Sequence, residues 1–98
     1  MSLPLESTLS LPSDHPIFAG HFPEHPIVPG ALILDEVTRV LGEHTGAGRS
    51  AVRSAKFVHP ARPGQRLRIA LTPTASGGFD FRVTSGDILI ASGALQAG

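Results

Sequence analysis

Residues 29–44 read PGALILDEVTRVLGEH, and the spacing of their apolar positions decides the fold. Ile33, Val37, Val40 and Leu41 recur at i, i+4, i+7 and i+8, which lines one face of an α-helix. Pro29 and Gly30 stand at its start, and Gly42 to Gly48 supply its stop. Upstream, Leu3, Leu5, Ser7, Leu9 and Leu11 alternate with Pro4, Glu6, Thr8 and Ser10, the period of a half-buried strand. Downstream, residues 51–58 (AVRSAKFV) mix apolar and basic positions. Leu67, Ile69 and Leu71 alternate with Arg66, Arg68 and Ala70, and Phe79, Phe81 and Val83 alternate with Asp80, Arg82 and Thr84. The segment TSGD, residues 84–87, turns tightly into ILIASGAL, so the last two strands form a hairpin. HPARPGQ, residues 59–65, carries two prolines and reads as a turn.

The resulting order is strand, helix, then four strands, an α+β arrangement in a single domain spanning residues 1–98. One helix cannot cover both faces of a five-stranded antiparallel sheet. A curved sheet wrapped around one central helix meets the burial requirement better. Its other face then meets solvent or a second copy, and pairing is favoured because a 98-residue core is small.

Composition narrows the chemistry. Apolar residues make up 41%, no run of about 18 apolar residues exists, and the N-terminus lacks a basic-then-apolar leader. The reading is a soluble, cytoplasmic protein with no membrane partner. Zero cysteines exclude disulfides, thiolate nucleophiles and Cys-based zinc sites. Net charge is zero but unevenly spread. Residues 1–38 hold five acids and no Lys or Arg, whereas residues 39–68 hold seven of the eight basic groups. No aromatics interleave with those groups, so nucleic acid is not an expected partner.

The chain entering the helix, residues 14–36, carries three histidines and four prolines. His15, His21 and His25, with Asp14 or Glu24, have the right donor types for a metal. Their loop spacing matches no ligand motif, so no metal and no cofactor are expected. No GxSxG or Walker pattern is present. Acid–base chemistry remains. GHFP offers an imidazole, His21, between Gly20 and Pro23. Gly30 sits where helix N–H groups lack intrahelical partners and can stabilise an oxyanion. Asp35 lies on the first turns, off the apolar stripe. It is readable either as a partnering acid or as a solvated carboxylate paired with Arg39 at i+4.

GHFPEHPIVPGALILDEV, residues 20–37, resembles the signature of the β-hydroxyacyl-acyl carrier protein dehydratases of hotdog fold. SAKFVHPARPGQRLRIAL and FDFRVTSGDILIASGAL resemble that family's later segments, so the similarity spans roughly residues 9 to 96. It looks nearest to the short members associated with aryl polyene and other specialised fatty-acyl pathways. The resemblance implies dehydration of 3-hydroxyacyl thioesters to trans-2-enoyl thioesters at the interface of a homodimer. His21 would be the base, Asp35 the acid and Gly30 the carbonyl-binding amide. Phe22, Val28, Pro29 and Leu32 would line the acyl tunnel. The acyl carrier is acyl carrier protein or coenzyme A, and Arg62, Arg66 and Arg68 are candidate docking groups for an acidic carrier protein. Glu24 stands where the family usually has glycine, and Arg39 where many relatives have glutamine, placed to depress the pKa of Asp35. The alternatives are a hotdog acyl-thioesterase and a non-catalytic acyl-binding subunit.

Overall fold

The computed structural model describes residues 5–10, 28–46 and 50–97. They form β1 (Leu5–Ser10), α1 (Gly30–Thr45), β2 (Ser50–Phe57), β3 (Arg66–Pro73), β4 (Gly78–Ser85) and β5 (Ile88–Ala97). The strands make one antiparallel sheet in the order β1-β3-β4-β5-β2. Both edge strands, β1 and β2, touch α1, and so does β5, so the sheet wraps the helix as the burial argument requires.

The core follows from the two periods. Ile33, Val37, Val40 and Leu41 are all buried on one face of α1. In β3, Leu67, Ile69 and Leu71 are buried while Arg66 and Arg68 are exposed, so alternate side chains face the helix and the solvent. Each such Leu, Ile or Val removed from water stabilises by about 1.5–3 kcal/mol. Phe81, opposite Gly93 across β4 and β5, shows how tightly the layers meet. A β-carbon at Gly93 would stand 2.6 Å from the Phe81 ring and 2.0 Å from the Ser54 carbonyl oxygen, so only glycine fits. At the far end of α1, Gly46 adopts φ 70°, and its N–H donates to the Gly42 carbonyl at 2.9 Å.

One strand departs from alternation. Every residue of β2 after Ser50 is exposed, and Val52, Phe57 and the following Val58 are 40%, 48% and 41% exposed. An apolar edge with unpaired backbone groups is a surface that seeks a partner strand.

Candidate active site at the helix N-terminus

Three backbone hydrogen bonds gather the segments around the start of α1. The Val28 N–H donates to the Ala61 carbonyl at 2.7 Å, tying the chain that enters the helix to the β2–β3 turn. The Val58 and His59 N–H groups both donate to the Ile90 carbonyl, at 2.8 and 3.3 Å, fixing the end of β2 to the start of β5. These segments border a mostly apolar, half-open cavity of about 340 Å³, its walls including Val28, Gly30, Ile33, Phe57, His59 and Ile90. A cavity of that size suits the reacting end of an acyl group.

Gly30 opens on this cavity from the first position of the helix. Pro29 occupies the N-cap in an extended conformation, with φ −60° and ψ 138°, and no side chain caps the end. The first intrahelical bonds run from the Leu32 and Ile33 N–H groups to the Pro29 carbonyl, at 3.1 and 3.3 Å. The Gly30 and Ala31 N–H groups therefore precede the hydrogen-bonded helix, at its positive end. The Phe57 ring lies against Gly30 so closely that a β-carbon there would stand 2.9 Å from Cζ. Any side chain at position 30 has to displace this ring of the edge strand.

Asp35 is exposed on α1, five residues beyond Gly30 and so about 7.5 Å along the axis. The expected pairing with Arg39 does not form. The Arg39 guanidinium binds the carboxylates of Glu36 and Glu43, with its Nε 3.1–3.2 Å from the Glu36 oxygens. The hydrogen bonding that Arg39 donates to Glu36 is the main cause raising the Arg39 pKa, with the charges of both glutamates adding to it. Two carboxylates at i−3 and i+4 outcompete the one at i−4. Among the described residues the Asp35 carboxylate has no ion pair, while its backbone carbonyl accepts from the Thr38 hydroxyl at 2.9 Å.

His21, Phe22, Glu24 and the other entering histidines lie outside the described residues. Val28 is buried and lines the cavity, whereas Pro29 and Leu32 are half-buried and lie off its walls, Leu32 packing against the core. Arg62, Arg66 and Arg68 are exposed. Arg66 and Arg68 share the outer face of β3, where Arg68 meets Glu6 at 3.1 Å, while Arg62 sits on the β2–β3 turn. Among the described residues no group of three or more His, Asp or Glu could hold a metal ion, and no helix is long and apolar enough to cross a membrane.

Phe57 and His59 are among the cavity residues that sequence reasoning missed. Their signal was weak, because the end of β2 shows no alternation and the histidine reads as part of a proline turn.

Comparison with known proteins gives this geometry a family. Residues 4–94 match the family model described as ApeI-like, ApeI dehydratase. The chain is 33% identical over 101 residues to the 3-hydroxyacyl-[acyl-carrier-protein] dehydratase FabZ of Campylobacter concisus (strain 13826), covering 84% of this chain and 68% of that protein. It is 39% identical over 67 residues to FabZ of Geotalea uraniireducens (strain Rf4), covering 57% of this chain and 46% of that protein. The chain thus spans about half the length of several of the curated relatives it matches. Among solved structures it resembles the dehydratase heterocomplex ApeI:P from Xenorhabdus doucetiae, with TM-score 0.79 and 24% identity over 93% of this chain and 83% of that one. A 1,4-dihydroxy-2-naphthoyl-CoA thioesterase from Synechocystis shares the fold, with TM-score 0.57 and 15% identity over 95% and 78% of the two chains. The architecture is the hotdog fold.

Proposed function

We infer that this chain, which belongs to the ApeI-like dehydratase family, removes water from 3-hydroxyacyl thioesters carried on acyl carrier protein, giving trans-2-enoyl thioesters. The observation that carries this reading is Gly30, the first residue of a helix whose N-terminus has no side-chain cap, lining an apolar cavity. An amide so placed binds the thioester carbonyl and stabilises the negative charge that develops on its oxygen when the α-proton leaves. His21 takes that proton as general base. The C3–O bond breaks, the hydroxyl leaves as water with a proton from Asp35, and the electron pair of the broken C–H bond forms the C2–C3 double bond.

Asp35 reaches this chemistry from a second subunit. Alone it faces solvent, and the β2 edge offers the seam on which a copy of the chain can pair. Homodimerisation through β2 covers Val52 and Val58 and encloses the helix face that carries Asp35. The acidic carrier protein docks on the exposed guanidinium groups of Arg62, Arg66 and Arg68, at the same end of the sheet as the cavity.

Asp35→Asn and His21→Ala test the mechanism. Each should lower turnover by at least about a hundredfold while the assembly persists. Unchanged turnover in either variant rules out its assigned role.

A further inference from the structure

His59 stands on the wall of the cavity, yet the mechanism above gives it no task. Its ring is fixed. Nδ1 lies 2.9 Å from the Leu89 carbonyl oxygen, and its backbone N–H is held by Ile90. A carbonyl can only accept a hydrogen bond, so Nδ1 carries the proton. In the neutral imidazole Nε2 is then an acceptor, on the opposite side of the ring from Leu89. The side chain is exposed, and no described residue supplies a second partner. Phe57, Val58, Pro60 and Ala61, which line the same cavity, are apolar, so the imidazole of His59 is the polar side chain of the wall it shares with Gly30.

We propose that His59 Nε2 positions the substrate by accepting a hydrogen bond from the amide N–H of the cysteamine arm that carries the acyl thioester. This deepens the reading of the site as one for carrier-bound thioesters and rests on it. Gly30 would hold the thioester carbonyl from one wall while His59 holds the arm that leads out to the carrier. The pair fixes both sides of the sulfur. Since His59 does not touch the reacting carbons, its effect falls on binding and KM, with kcat retained.

The test uses two unreactive thioethers of equal length, one an S-alkyl-N-acetylcysteamine and the other with the amide replaced by methylenes. Binding to the purified full chain is measured by calorimetry. The wild-type protein should prefer the amide ligand by about five- to tenfold, the worth of one hydrogen bond. His59→Asn keeps a donor toward Leu89 but loses the Nε2 acceptor, and it should abolish the preference. His59→Gln places an amide oxygen near the Nε2 position and should recover part of it. No preference in the wild type, or a preference undiminished in H59N, overturns the proposal. Turnover of a 3-hydroxyacyl thioester by the wild-type chain is measured separately, so a failed dehydratase reading is distinguishable from a failed role for His59.

Discussion

The Phe57 ring rests on Gly30, leaving no room for a β-carbon: one built at residue 30 would stand 2.9, 3.1 and 3.3 Å from three ring atoms. The contact joins the edge strand of the sheet to the amide that the proposed chemistry needs. Because Phe57 is 48% exposed, its ring can swing outward at small cost. Gly30→Ala should therefore fold with stability within about 1 kcal/mol of the parent and still lose at least about tenfold in kcat/KM. Pairing it with Phe57→Leu should recover part of that loss. Thermal melts and steady-state kinetics on the three proteins check this.

Arg39 is held by Glu36 and Glu43, which leaves the Asp35 carboxylate uncoupled from it. Replacing Arg39 with glutamine should change turnover by less than about twofold, since it touches no reacting group. The exposed ion cluster should matter only slightly to stability, lowering the melting temperature by about two degrees or less at low salt. In molar salt that difference should vanish. A large loss of activity in R39Q would instead show that Arg39 tunes Asp35.

Pairing across β2 should depend on Val52, an exposed apolar side chain on an edge strand. Val52→Asp costs little in the single chain and buries a charge in the dimer. Light scattering after gel filtration should show the parent as a dimer and V52D as a monomer with its circular dichroism retained. Turnover should fall with the dimer, because Asp35 then loses the surface that completes the site. An assembly containing a different hotdog subunit would appear as a monomeric parent that gains activity on adding the partner.

Arg66 and Arg68 share the outer face of β3, and the only described counter-ion there is Glu6 on Arg68. The double change Arg66→Glu and Arg68→Glu should lower kcat/KM for a carrier-bound substrate by about tenfold or more at low salt. It should leave the N-acetylcysteamine thioester unaffected. Parallel kinetics on the two substrates separate docking from chemistry.

Much of this architecture is legible in the sequence because its helix and central strands are buried on one side only. Ile33, Val37, Val40 and Leu41 mark the helix face, and Leu67, Ile69 and Leu71 mark the inner face of β3, each at the period its element imposes. Gly86, with φ 59°, makes the hairpin turn that TSGD announces. What escaped the sequence depends on contacts between distant segments. β2 lies at the edge, bonded to β5 rather than to its chain neighbour β3, so its exposed residues carry no alternation to read. Phe57 and His59 enter the cavity only because the Ile90 carbonyl holds residues 58 and 59 there. The Arg39 pairing turned on which of three nearby carboxylates wins, and helix spacing alone does not decide that.

The most direct test of the central claim is to incubate the purified chain with a 3-hydroxyacyl thioester and identify the product by ultraviolet absorbance, thiol titration and mass spectrometry. The expected product is a conjugated trans-2-enoyl thioester, one water lighter than the substrate, with the thioester intact and no product formed by D35N. Release of free thiol and carboxylic acid would contradict the claim and assign the chain to thioester hydrolysis; binding without any turnover would contradict it as well.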